Sequence, residues 1–184
     1  QVLSILLKLR QVCCHPKLFL PDYEGSSGKL ELLVQIVHNA IAAKRRMLIF
    51  SQFVGMLQMI RKRLGREGIQ TLYLDGETHP DKRQELCDRF NGGEGRVFLI
   101  SLKAGGTGLN LTGADLVIHY DPWWNPAAED QATDRAHRIG QTQDVNVYQI
   151  VAKDTIEERI LKLQEKKNAV SYTHLRAHET LSDL

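Results

Sequence analysis

The sequence predicts an α/β fold built on a parallel, doubly wound sheet. Compact apolar runs recur along the chain, of which Met47-Leu48-Ile49-Phe50 is the clearest, and such unbroken runs suit strands buried on both faces. Between them lie stretches with the apolar spacing of amphipathic helices. Parallel neighbours need a long crossover where antiparallel ones need only a tight turn, so regular alternation of the two patterns points to parallel pairing with helices on both faces.

Val2, Leu3, Leu6, Leu7 and Leu9 give residues 2–9 a helical pattern, which Pro16 and Pro21 break into a turn-rich stretch closing at Gly25-Ser26-Ser27-Gly28. A boundary near residue 28 follows. Leu33, Val34, Ile36, Val37 and Ile41 predict a helix over 30–43, leading into the strand 47–50. The alternation continues with a helix over 54–64, a strand over 71–74, a helix over 80–90 whose Pro80 suits the first turn, and a strand over 97–101. Strands over 116–120 and 145–151 flank a helix over 126–137, and a last helix covers 155–167. Residues 169–184 lose the periodicity and are expected to be either a frayed terminus or a segment foreign to the domain.

The chain has 184 residues, 42 % of them hydrophobic, with 24 basic and 22 acidic side chains for a net charge of +2. That is enough apolar material for a core without disulfide or metal staples, and too little charge to imply nucleic-acid binding by itself. No apolar run approaches the ~20 residues of a membrane span, and the N-terminal stretch lacks the charged start and cleavage site of a signal peptide. Cys13, Cys14 and Cys87 form neither a paired framework nor a CxxC spacing, which fits a reducing, intracellular setting. Cys13, Cys14 and His15 are too close together in sequence to converge on one tetrahedral ion and are expected to pack. Residue 1 lies within a helical pattern and is not Met, so a preceding segment is expected.

Ligands of doubly wound sheets sit outside the carboxyl ends of the strands, which directs attention to the loops starting at Ser51, Asp75, Ser101 and Asp121. Gly25-Ser26-Ser27-Gly28-Lys29-Leu30 misses the GxxxxGK[ST] spacing and follows no strand, so it reads as a flexible linker entering a helix. No acidic DExH-like cluster follows a strand, and no GxGxxG follows the first strand, which discounts a Rossmann-type enzyme. Residues 101–110 (SLKAGGTGLN) leave a strand through glycines, which fits either close approach to a phosphate or plain turn geometry. On a helix begun at Pro126, Gln131, Arg135 and Arg138 fall at i, i+4 and i+7 and share one stripe. Two guanidiniums on one face suit the spread charge of a transferring γ-phosphoryl group. The alternative is an exposed helix with an Asp134–Arg138 ion pair worth about 0.3–0.5 kcal/mol.

In order, residues 48–53 (LIFSQF), 73–90 (YLDGETHPDKRQELCDRF), 101–115 (SLKAGGTGLNLTGAD), 121–126 (DPWWNP) and 130–141 (DQATDRAHRIGQ) resemble the Swi/Snf family of ATP-dependent DNA translocases, in its C-terminal helicase lobe. The resemblance covers residues 1–168, including 9–16 (LRQVCCHP). It implies a lead-in helix and loop over 1–27 from a missing first lobe, a RecA-like lobe over 28–153, a C-terminal brace helix over 154–168 and an atypical tail over 169–184. It also implies a DNA-dependent ATPase with ATP and Mg²⁺ between two lobes. The Walker-type lysine and the Mg²⁺-binding acidic residues then belong to lobe one, and this chain alone is expected to be inactive.

The same resemblance implies Arg135 and Arg138 as arginine fingers with Gln131 beside them, and Gly106, Gly108 and Asp134 at the nucleotide. It implies Ser51, Gln52, Asp75, Gly76, Lys103, Ala104, Gly105, Trp124 and Asn125 at DNA, with Phe53 and Thr78 in the same loops. Trp123 is expected in the core and His137 in packing. Lys82, Arg83 and the final-helix charges Glu157, Glu158, Lys162, Lys166 and Lys167 are expected in solvent. The implied partners are double-stranded DNA and the first lobe, with no membrane. The DPWWNP form resembles bacterial members, so the expected location is the nucleoid-associated cytoplasm, or the nucleus of a eukaryote. The alternative is a standalone nucleic-acid-binding module that keeps the fold without the motor.

Overall fold

The computed structural model describes residues 2–105, 108–136 and 144–165, and the backbone of 173–177. The order is α1 (Val2–Cys14), a 3-10 turn (Pro16–Leu18), α2 (Gly28–Ala42), β1 (Met47–Ser51), α3 (Val54–Arg66), β2 (Thr71–Leu74) and α4 (Pro80–Asn91). Then come β3 (Val97–Ser101), the single turn α5 (Leu102–Gly105), β4 (Leu116–His119), α6 (Pro126–Thr133), β5 (Asn146–Ala152), α7 (Ile156–Glu165) and β6 (Thr173–Ala177).

The strands pair in the order β2-β3-β1-β4-β5-β6, every pair parallel, with Ile49 of β1 opposite Leu99 on one side and Ile118 on the other. The pleat sends alternate residues to opposite faces. Met47, Ile49, Leu99, Ile118 and Ile150 pack on Leu33 and Val37 of α2 and on Met56, Leu57, Ile60 and Leu64 of α3. Leu48, Phe50, Phe98, Ile100 and Val117 pack on Leu86, Cys87 and Phe90 of α4 and Ala132 of α6. Helices thus cover both faces, as the alternation predicts, and each fully buried Leu or Phe contributes about 1.5–3 kcal/mol.

Local chemistry sets the element ends. Ser27 caps α2 by accepting from the Leu30 N–H at 3.4 Å, and Asn125 caps α6 by accepting from Ala127 at 3.2 Å. Gly68, at φ +75, closes α3: its N–H bonds the Gly65 carbonyl and the Ile69 N–H bonds that of Leu64.

Four features go beyond the sequence pattern. First, α1 ends at Cys14, just before the predicted break at Pro16, and is fastened to the body, with Tyr120 Oη and Ser27 Oγ both donating to the Cys14 carbonyl at 2.8 and 3.3 Å. His15 accepts from the Lys17 N–H to cap the 3-10 turn, which agrees with a packing role. Second, α6 stops at Thr133, short of the predicted 137, because Arg135 and Ala136 turn inward to be buried and the Arg135 carbonyl accepts from the Leu111 N–H at 3.1 Å. Third, residues 173–177, without periodicity in sequence, form edge strand β6 beside β5. Fourth, Glu157 of the final helix is buried rather than solvated. Lys166, Lys167 and His137 lie outside the described residues. No helix among the described residues is long and apolar enough to cross a membrane.

Candidate nucleic-acid interface at the carboxyl edge of the sheet

β1 and β4 are neighbours, yet β1 feeds α3 on one face and β4 leads to α6 on the other. This divergence opens a crevice at their carboxyl ends, the usual ligand position in such sheets. Asp121, 1 % exposed, closes its floor: Ser51 Oγ donates to one carboxylate oxygen and the Gln52 N–H to the other at 3.4 Å. Burial raises the Asp121 pKa, partly offset by Lys29 and the Ser51 bond. Ser51 is itself fully buried and its oxygen accepts from the Phe53 N–H at 3.1 Å. The expected Ser51 hydroxyl contact to DNA is therefore not available; the hydroxyl shapes the loop, Phe53 packs half-buried against the core, and the half-buried Gln52 has its Nε2 out of solvent.

After β2, Asp75 organises its own turn. Its carboxylate accepts from Tyr73 Oη at 2.8 Å, the Glu77 N–H at 3.0 Å and Thr78 Oγ1 at 3.3 Å. Partial burial opposes these bonds, but together they lower the Asp75 pKa, while burial and the Asp75 bond push Tyr73 up to about 12. Arg83, expected in solvent, instead donates to the carbonyls of Thr78 at 2.7 Å and Gly76 at 2.9 Å. Lys82 stays exposed beside Glu85. The exposed residues of this turn are Gly76 and Glu77. After β3, Lys103 is exposed, whereas Ala104 is buried and its N–H bonds Ser101 Oγ at 3.2 Å. Gly108 is exposed at φ +64, a conformation that favours glycine. Gly106 lies outside the described residues.

After β4, Trp123 packs partly buried against the core, as expected, and Trp124 is 43 % exposed beside the exposed Asn125. The loop is held from beneath. The Trp123 N–H donates to Glu129, Gln164 Nε2 of α7 donates to the Trp123 carbonyl, and Gln149 Nε2 of β5 donates to Glu129 at 2.9 Å. Burial pushes the Glu129 pKa up to about 7.

Of the predicted Gln131–Arg135–Arg138 stripe, the described part, Gln131 and Arg135, does not share one helical face. Gln131 is exposed on α6, Asp134 is exposed at its C-cap, and Arg135 lies beyond the helix end, 2 % exposed, so Gln131 and Arg135 face different ways. Arg138 lies outside the described residues.

Two residues were missed by sequence reasoning. Lys29, read as part of a linker, is buried: its Nζ lies 2.7 Å from both Glu157 oxygens and 4.9 Å from the Tyr120 ring centre. Arg10 of α1 is buried against the Trp123–Trp124 loop. The available signal was position, since Lys29 shares the apolar stripe of Leu33 and Val37 and Arg10 that of Leu6 and Cys14.

The model of the family described as the helicase conserved C-terminal domain matches residues 28–140. The chain belongs to that family. This helicase C-terminal domain is 45 % identical to an uncharacterized ATP-dependent helicase of Mycoplasma pneumoniae, over 94 % of the chain and 17 % of the relative. It is 40 % identical to the putative ATP-dependent helicase/translocase YwqA of Bacillus subtilis, over 100 % of the chain and 20 % of the relative. The domain thus spans no more than 20 % of the length of either relative. Among solved structures it is similar to the Sulfolobus solfataricus SWI2/SNF2 ATPase core in complex with dsDNA, with TM-score 0.78 and 36 % identity over 91 % of this chain and 36 % of that one. It is also similar to the C-terminal part of the Fun30 ATPase domain, with TM-score 0.72 and 36 % identity over 85 % of this chain and 53 % of that one. It is a C-terminal lobe of the SNF2-like ATP-dependent helicase type, with the RecA-like architecture of those neighbours.

Proposed function

We propose that this domain is the second motor lobe of an ATP-dependent translocase that moves on double-stranded DNA. The observation that carries the reading is the β1–β4 crevice, whose two loops bring Gln52, Trp124 and Asn125 to one edge of a fold whose relative was solved on dsDNA. In this reading Trp124 offers a ring face to sugar or base, and Asn125, Lys103 and the backbone of Gly76 and Gly105 hold phosphates without reading sequence, while Gln52, with its Nε2 buried, and Ala104, with its N–H on Ser101 Oγ, support their loops from behind. Ser51 and Asp75 act by shaping their loops. An apolar stripe left exposed on α1, with Val2 71 % and Leu3 82 % exposed, supports a first lobe or its linker as neighbour.

Nucleotide chemistry is shared across the lobes. Gly106 and Gly108 approach the phosphates, Asp134 lies at the end of α6, and Arg138 reaches the γ-phosphate with Arg135. The turn over 134–136 must rearrange to bring Arg135 out. In this reading the Mg²⁺ that neutralises the phosphates is held by acidic residues of the other lobe. Its place of work is the nucleoid of a bacterial cell or the nucleus of a eukaryotic one.

ATP hydrolysis by the full-length protein with and without double-stranded DNA tests the reading. This chain alone should be silent, the whole protein DNA-stimulated, and Arg138→Ala slower by roughly 10³-fold or more, the range of an arginine finger. Turnover by this chain alone, or full-length turnover indifferent to both Arg135→Ala and Arg138→Ala, would overturn it.

A further inference from the structure

Arg10 comes from α1, outside every loop of the crevice, yet it is only 5 % exposed. Its guanidinium carbon lies 5.4 Å from the ring centre of Trp124, 5.9 Å from Phe53 and 6.0 Å from Trp123. Its Nη2 donates to the Pro122 carbonyl at 2.8 Å. One cation therefore spans both loops of the crevice, from β1 through Phe53 and from β4 through Pro122 and the two tryptophans. Burial lowers the Arg10 pKa and the nearby Asp121 opposes this, so the charge is retained where two loops meet. A guanidinium stacks by its flat face while donating from its edge, which a lysine ammonium cannot do in one geometry.

We propose that Arg10 is a positioning residue for DNA engagement: it holds Trp124 in the orientation that meets the duplex, and so links α1 to the DNA-binding edge. The inference rests on the reading of Trp124 as a DNA contact. With the guanidinium against it and 43 % of the residue exposed, Trp124 keeps surface available for sugar or base. Without Arg10 the ring samples other rotamers, and DNA must reorder it on binding.

The test compares Arg10→Lys, Arg10→Met, Trp124→Ala and the Arg10→Lys/Trp124→Ala pair. One readout is the duplex concentration that half-stimulates ATP hydrolysis by the full-length protein. The other is fluorescence of this chain, whose 2 tryptophans both lie beside Arg10, titrated with a duplex oligonucleotide. Arg10→Lys should raise the half-stimulating concentration roughly 5- to 10-fold, with turnover at saturating DNA changed less than about twofold. It should shift the tryptophan emission, and it should add little once Trp124 is Ala. If Arg10→Met fails to fold, Arg10→Lys, which keeps the charge, carries the comparison. Folded Arg10→Lys that binds DNA like wild type while Trp124→Ala is weakened overturns this inference alone, as does an additive effect in the pair. Trp124→Ala that binds like wild type overturns the DNA-contact reading and this inference with it.

Discussion

Lys29→Met should melt the domain about 10 °C lower, and adding Glu157→Leu should recover most of the loss. The lysine and carboxylate are 3 % and 1 % exposed and meet through two contacts of 2.7 Å, while the Ala152 N–H donates to the same carboxylate at 2.8 Å. Removing the cation leaves a buried carboxylate with that backbone donor and the Cys14 thiol, 3.9 Å away. Breaking one side of such a pair costs about 3–5 kcal/mol, whereas replacing both partners by apolar groups is often neutral. In a domain of this size each kcal/mol moves the melting temperature by roughly 2–4 °C. Thermal and urea unfolding of the wild type, both single variants and the double variant complete the cycle. Burial acts to lower the Lys29 pKa, but the charge and hydrogen bond of Glu157 raise it above the ordinary lysine value. A raised lysine pKa gives stability that is full below the unfolded value and lost as pH climbs through the folded one, so only alkaline solution should weaken the wild type by this route. A Lys29→Met cost under about 1 kcal/mol, or a double variant as unstable as the two singles summed, would refute the reasoning.

Three further substitutions probe buried groups and backbone. Burial pushes His119 down to about 4, so stability falls as pH drops from about 6.5 toward 4, whereas Glu129, pushed up to about 7, loses stability as pH rises from about 4.5 to 7; each slope amounts to about 3 kcal/mol, and they oppose. His119→Gln should therefore be less stable in urea at pH 7.5 than at pH 5, and Glu129→Gln the reverse; slopes of the same sign would contradict the assignment. A Cβ on Gly113 would stand 2.8 Å from Arg46 Nη1 and 3.0 Å from the Asn91 Cα, so Gly113→Ala should lose about 1–3 kcal/mol in a denaturant titration.

The strands and long helices were legible because the sheet is buried on both faces. Runs such as Met47–Phe50 are then apolar at every position, and helices such as 54–66 show their buried side as Met56, Leu57, Ile60 and Leu64. The end of α6 was not legible, since the residues after Thr133 remain compatible with a helix and a tertiary bond from Leu111 to the Arg135 carbonyl decides the turn. Edge strand β6 gave no signal because its residues lack the alternation of a half-buried strand. The crevice followed from topology and the motif order. Which side chains it leaves outward did not: Ser51 and Arg83 carry donors suited to phosphate and Asp75 lies in the same loops, yet all three are engaged by hydrogen bonds within their own surroundings.

The misread charges share one physical cause. A cation on an apolar helical stripe announces that a partner exists, but sequence does not say where, and here the partners are 128 residues away for Lys29 and 112 for Arg10. Both contacts join elements far apart in the chain, Lys29 linking α2 to α7 and Arg10 linking α1 to the loop after β4. An apolar contact would tolerate sliding of those helices, while hydrogen-bonded charges are directional and lose most of their value when displaced. The lead-in and final helices are thereby held in register with the crevice rather than merely packed against its scaffold. A displacement of α1 transmitted through Arg10 reaches the Trp124 loop directly, through the 2.8 Å bond to the Pro122 carbonyl and the contact with the Trp124 ring, and so couples that helix to the edge proposed to hold DNA.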